Sequence, residues 1–387
     1  MAPQDLAHFK FRFCYQIGDD LVTQKILLSN YKIKNKQNPD FNKMKSEIRD
    51  LFNVKAYIYW CDLLLSVFFA WGLFILASVL SFENTLYYYI LILLSAVSFY
   101  RAIAFTHELV HVKKGSLPWF HLIWHIFCGM PLLAPHFLYK SIHISHHSRK
   151  DYGKNTDGEY IEFGTESRWL IVLHFVYNLV IPIFSVFRFM ILTIVSFSNS
   201  KLRFLVMEKM SFMGLRFTFV RKLPREKSDL FKWYCEEFSC CFLTWLVLVL
   251  ILFEKIPLKL FFQWYFVMII ILTMNSLRSL GATHWSKSTG NDMSFMDQIR
   301  DSLSVTSNSV FTHIFCPIGT QYHALHHMFP GIPYHSLGRA YWRLVEKFPE
   351  EKILTETSSP SLWDTWKNIW FLPRKNDFLV KTGAFVL

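Results

Sequence analysis

Several signatures that would send the reading elsewhere are missing. The seven cysteines (Cys14, Cys61, Cys128, Cys235, Cys240, Cys241 and Cys316) have no regular spacing and form no C-x-x-C. Several sit in apolar stretches, where a free thiol acts as a small hydrophobe. A disulfide framework is therefore not expected, and the soluble face belongs in a reducing compartment. No Gly-x-Gly-x-x-Gly occurs, which argues against a bound nicotinamide or flavin in a Rossmann module. The N-terminus lacks a secretory signal pattern, so insertion into a membrane is expected to be directed by the first spanning helix. Negative charge is scarce, with 29 Asp and Glu against 41 Lys and Arg. A basic, aromatic-rich chain invites a nucleic-acid reading, but the placement of the charges argues against it. They crowd into residues 1–55, 101–168, 201–232 and the C-terminal quarter, and nearly vanish from the long apolar runs between.

Those runs set the fold class. With 52% hydrophobic residues gathered this way, the chain reads as an all-α membrane protein. About 20 apolar residues cross a hydrocarbon core of roughly 30 Å. Four runs are read as transmembrane helices, at about 56–82, 86–105, 238–253 and 258–280. They pair as two hairpins, the first closed by Glu83-Asn84-Thr85 and the second by residues 254–257. Four spans leave a basic N-terminal arm (1–55), the segment 106–237 and the C-terminal region on one face. The Lys and Arg bias makes that face cytosolic. The domain plan is then the arm, a membrane domain over 56–350, and a cytosolic tail over 351–387. Two further apolar stretches, 117–138 and 169–197, carry prolines, histidines and, in the second, Arg188. A single crossing by either would part the histidine groups described next, so both are read as interfacial or re-entrant helices. Residues 201–232 read as a basic segment against lipid headgroups, or as a solvated amphipathic helix.

Of 16 histidines, nine fall into four groups. His107 and His111 form H-x-x-x-H at the end of the second span. His143, His146 and His147 form H-x-x-H-H, as do His323, His326 and His327, and His284 stands alone just past the fourth span. Residues at i, i+3 and i+4 share one face of a helix, so each group aims its imidazoles at one point. The four-span topology puts every group on the same face, in a cytosolic helical cap that holds a di-metal site. Nine imidazoles exceed the coordination of one ion but suit two octahedral-leaning ions with positions left open, and imidazole suits iron, zinc or copper. His8, His121, His125, His136, His174, His313 and His335 lack such company and are read as hydrogen-bonded interior residues. His107-Glu108-x-x-His111 also spells the zinc-protease motif, with Glu108 as general base. That reading leaves seven clustered histidines unexplained. A channel or transporter fits worse, because the histidines lie outside the spans.

The three boxes, their order and their placement resemble the membrane fatty acid desaturase superfamily, which includes hydroxylases and carotenoid ketolases. The likeness extends to Gln321-Tyr-His-Ala-Leu-His-His-Met-Phe-Pro-Gly-Ile-Pro-Tyr-His335, to Asn275-Ser-Leu-Arg-Ser-Leu-Gly-Ala-Thr-His284, and to the bacterial-type Thr156-Asp-Gly-Glu-Tyr160. It spans roughly residues 56–350. The resemblance implies that the nine clustered histidines bind two irons (Fe2+/Fe3+), with O2 as co-substrate. The family often places an asparagine four residues before the isolated histidine. Leu280 stands there, so that role is absent or moves to Asn275. Glu108, Asp157 and Asp301 are candidates to orient the imidazoles. The implied activity is an oxidoreductase that desaturates an acyl chain of an acyl-lipid, acyl-CoA or acyl-carrier substrate, or hydroxylates a lipid, alkane or carotenoid. No fused His-Pro-Gly-Gly haem segment is present. A separate ferredoxin, rubredoxin or cytochrome donor is implied, drawn to the basic face. The expected setting is a multi-pass protein of a bacterial inner membrane or the endoplasmic reticulum.

Overall fold

A 24-residue helix, α1 (Ala56–Val79), is long enough to cross a bilayer, at roughly 36 Å by the usual helical rise. Its buried stripe of Tyr59, Leu63, Ser66, Val67, Ala70 and Ala77 follows helical periodicity, while Leu64, Leu65, Phe68 and Phe69 point outward. The small residues let α2 (Thr85–Ile103) approach closely: Ser95 donates to the Ala70 carbonyl at 2.8 Å, and Ala96 is fully buried. Near the other end of this hairpin, Arg101 grips Asp62 through Nε at 2.7 Å and Nη2 at 2.6 Å. A bidentate pair of this kind explains how a carboxylate survives in an apolar run. Beyond a break at Ala104, α3 (Phe105–His111) extends the second span.

The computed structural model describes residues 39–79, 85–210, 219–285 and 293–372. The Glu83-Asn84 part of the expected first turn, most of the N-terminal arm with His8 and Cys14, Arg216, and residues 373–387 lie outside them. After α3, Phe120–Gly129 is a short apolar helix that ends in a π-type turn, and α4 (His136–His147) follows. Next comes α5 (Arg168–Phe187), which continues through a π-type turn at Arg188–Leu192 into Thr193–Ser196. The second hairpin is α6 (Lys227–Leu252) and α7 (Lys259–Leu280). Val267, Met268, Ile271 and Met274 of α7 pack with Ile92, Ala96 and Phe99 of α2.

Four spans are expected from the sequence, and five helices are long and apolar enough to cross a membrane. The fifth is Arg168–Ser196, 29 residues. Its histidine, asparagine, proline and arginine look like interruptions in sequence, yet they share one face. His174, Asn178, Pro182, Ser185 and Arg188 are all turned inward, while Leu173, Val176, Val180 and Ile183 are exposed. Asn178 Nδ2 donates to Ser276 of α7 at 3.0 Å, and Arg188 Nη2 meets Glu237 of α6 at 2.7 Å. A helix satisfied internally in this way keeps its apolar surface for lipid.

Three of the remaining helices build the cap around the third box. They are α8 (Phe295–Asp301), α9 (His323–Met328) and α10 (Tyr334–Lys347). Met44, Ile48 and Leu51 share one core with Ile299, Leu325, Met328, Leu344 and Ile353. A parallel pairing of β1 (Ser304–Val305) with β2 (Ser358–Ser359) is the only sheet among the described residues. The last helix, α11 (Leu362–Phe371), packs on α7, where Trp366 donates to the Leu277 carbonyl at 2.9 Å. Part of the arm (41–55) and part of the tail (351–372) are thus built into the body.

Candidate metal centre

The boxes sit on three short helices whose faces meet. α3 presents His107 and His111, α4 presents His143, His146 and His147, and α9 presents His323, His326 and His327. One atom each from His107, His111, His143 and His326 falls within 4.8 Å of the others, as does one each from His146, His323 and His327. His147 joins the two groups, with its Nε2 3.1 Å from that of His143 and 3.1 Å from that of His326. Its ring stacks on His327 at 4.3 Å. Other Nε2 pairs approach as closely, His111 to His143 at 2.8 Å and His323 to His327 at 3.1 Å.

The opposite ring nitrogens show what holds them. His143 Nδ1 lies 2.8 Å from Glu159 Oε1 and 3.0 Å from the Tyr139 hydroxyl. His146 Nδ1 lies 3.1 Å from Asp157 Oδ2, and Asp157 is itself fixed by the Gly153 and Glu159 amides, each at 3.0 Å. Gln298 Nε2 reaches His327 Nδ1 at 3.0 Å. The carboxylates on Nδ1 of His143 and His146 set the tautomer and turn those Nε2 lone pairs toward a common centre, the arrangement a metal requires. Burial, then crowding by neighbouring imidazoles, pushes His143, His147, His323, His326 and His327 well below the ordinary histidine range. Neutral imidazole is the ligating form. For His146 burial acts downward, but Asp157 and then Glu159 outweigh it and hold the group up. Donor type, number and orientation all fit two metal ions.

The four orienting candidates differ in placement. Asp157 touches a box directly. Glu108 lies 3.6 Å from His107 Nδ1, but its Oε2 accepts from the Tyr59 hydroxyl and from the Tyr334 amide at 3.1 Å. A carboxylate so engaged is not poised as the general base of a zinc protease. Asp301 accepts from Tyr152 at 3.2 Å, and Tyr152 packs on His146 with ring centroids 5.0 Å apart. Asn275 contacts Arg278 at 3.3 Å. His284 is exposed and outside both groups, with its backbone N–H bonded to the Asp301 carbonyl at 2.7 Å. Sequence reasoning missed Glu159, Tyr139 and Gln298. Glu159 stood in the quoted 156–160 segment, and Tyr139 one turn before His143, whereas Gln298 carried no signal.

The solitary histidines have ordinary partners. His125 Nε2 meets Ser239 at 2.8 Å, His136 Nδ1 meets Thr106 at 3.1 Å, and His313 meets Asn308 at 2.8 Å. His335 Nε2 accepts from the Lys55 amide at 3.2 Å, and His121 lies 3.0 Å from Glu236. His174 packs against Phe163, its Nε2 without a hydrogen bond among the described residues.

Helical hairpins under a cap with two histidine groups define a membrane oxidoreductase with a di-metal site. Comparison places it further: the fatty acid desaturase family model matches residues 84–358, so the chain belongs to that family of membrane di-iron enzymes, desaturases and hydroxylases that act on lipids. Among curated proteins it is similar to a ceramide hydroxylase of Caulobacter vibrioides, 29% identical over 316 residues, which cover 81% of this chain and 88% of that protein. No solved structure matches.

Proposed function

We propose that the protein is an O2-dependent, di-iron hydroxylase of a long-chain lipid of the ceramide class. The observation that carries this reading is the likeness to a hydroxylase along most of both chains. It moves the weight from desaturation, the expectation from the family resemblance, to hydroxylation. In the balanced reaction a C–H bond, O2, two electrons and two protons give C–OH and one water. The irons, when bound, supply the activation of O2 that no side chain can.

The chain supplies position and shielding. His107, His111, His143 and His326 are the proposed ligands of one iron, and His146, His323 and His327 of the other, with His147 between them. The second group has one histidine fewer. His284, joined through Asp301 and Tyr152 to the neighbourhood of His146, is proposed to complete it. Asp157 and Glu159 hold protons on Nδ1 and so keep the Nε2 lone pairs free. Burial of both groups excludes bulk water. A separate ferredoxin, rubredoxin or cytochrome is proposed to deliver the electrons at the basic cytosolic face. Helix α5, although long enough to cross, is proposed to lie along the membrane interface. Its start lies beside the cap, and its Arg188 and Thr193 are fastened to Glu237, close to the charged end of α6. That path keeps all boxes on one side.

Desaturation is the second reading, favoured by the family that the chain belongs to. Expression in a heterologous host with lipid mass spectrometry and metal analysis separates the two. Oxygen-bearing lipids with iron in the protein support hydroxylation, and new double bonds without added oxygen support desaturation. Activity with zinc and without O2 overturns both.

A further inference from the structure

On the side of α3 and α4 turned away from the histidine cluster lie two adjoining cavities, of about 310 and 350 Å3. Lys140, Asp229 and Trp233 wall both. Lys113, Lys114 and Lys232 line the first, and Lys222 the second. Five ammonium groups therefore border one continuous groove. Asp229 answers only Lys232, at 3.6 Å. Among the described residues the other four lysines make no ion pair. Glu236, at the floor, is already engaged. Its Oε2 accepts from the Phe137 amide at 3.0 Å, and its Oε1 lies 3.0 Å from His121. Asp151 also lines the second cavity, so five lysines stand against Asp151, Asp229 and Glu236, and the groove keeps a surplus of positive charge.

Its depth says what meets it. Lys232 and Trp233 come just before the apolar stretch 238–253 of α6, where a lysine and a tryptophan mark the boundary between hydrocarbon and water. Val110 and Val112 line the first cavity and the exposed Ile144 lines the second, so apolar surface adjoins the charged rim. We infer that this groove binds the phosphate headgroup of an anionic membrane lipid. The lysines meet the phosphate and the apolar wall meets the start of the acyl chains. Each basic residue near such a headgroup contributes roughly fivefold in affinity.

The test uses the full chain purified in a neutral detergent, with binding read by native mass spectrometry and by the shift in thermal midpoint. Dioctanoyl phosphatidylglycerol is expected to bind saturably, whereas dioctanoylglycerol, with the same tails and no phosphate, is not. Inorganic phosphate at the same concentration is expected to give no shift. Lys113→Gln, Lys114→Gln and Lys140→Gln together should weaken the phospholipid on the order of a hundredfold while leaving iron content unchanged. Equal binding of dioctanoylglycerol would overturn the proposal, as would full occupancy by inorganic phosphate or unaltered binding by the triple variant. Should that variant not fold, the three ligands on the unaltered chain decide the question.

Discussion

Two sets of histidines sit near one another, and only one of them makes a cluster. On the inner side of α3 and α4, eight imidazoles crowd together, with Nε2 atoms 2.8–3.1 Å apart and Nδ1 atoms of His143 and His146 tied to carboxylates. On the outer side, His121, His125 and His136 surround one carboxylate, Glu236, and each is answered separately, by Glu236, Ser239 and Thr106. His125 and His136 are as buried as the cluster, while His121 is partly exposed. What differs is convergence. A ligand set turns its donors toward a shared point and braces them from behind, whereas structural histidines spend their donors one by one.

The largest test of that contrast is a pair of substitutions. His326→Ala should abolish activity and strip metal, while His136→Ala should leave the metal content intact, as metal analysis of both proteins would show. Equal losses would erase the distinction. Next, His284→Ala should remove about half of the bound iron if this residue completes the second group, since the first keeps its four histidines. Full iron content would return His284 to the surface. A smaller effect is expected behind the ligands. Asp157→Asn or Glu159→Gln should lower metal affinity or activity by about 10- to 100-fold without emptying the site, measured by metal titration.

Acid provides a further test. His143, His147, His323, His326 and His327 are depressed in the folded protein, and burial pushes His136 down to about 3. The unfolded chain then binds more protons than the folded one, so stability is lost as pH falls below the ordinary histidine value near 6.5. Metal-free protein should therefore show a lower thermal midpoint at pH 5.5 than at pH 7.5, and a rise would break the account of neutral imidazoles. The mildest change is Ser239→Ala. It removes one neutral hydrogen bond from His125 and should cost about 1 kcal/mol of stability with no change in metal, by thermal denaturation and metal analysis.

Much of the site was legible because its spacing is local. Imidazoles at i, i+3 and i+4 announce a shared helical face before any fold is known, and both triplets and His107 with His111 came together as that rule implies. His284, with no neighbour of its kind, had only resemblance behind it. The braces were harder. Asp157 could be suspected from its nearness to the second box, but Gln298 reaches His327 from 29 residues away along the chain, and no periodicity marks such a contact. The membrane part was less legible at one place for a physical reason. Arg188 and Asn178 look hostile to a lipid-embedded helix until their partners Glu237 and Ser276 are known, and those partners belong to helices far along the sequence.

The order of the boxes along the chain has a consequence for biogenesis. His107, His111, His143, His146 and His147 are translated before the second hairpin, and His323, His326 and His327 after it. Without α9 the first group keeps three of its four histidines, and the second keeps only His146. The complete ligand sets are thereby assembled only when both hairpins have been made and the last third of the chain has folded back over them. A nascent or truncated chain offers no complete pair of sites. Occupancy by metal would report that assembly has finished, which makes it a natural mark by which a cell could tell a mature copy from an aborted one.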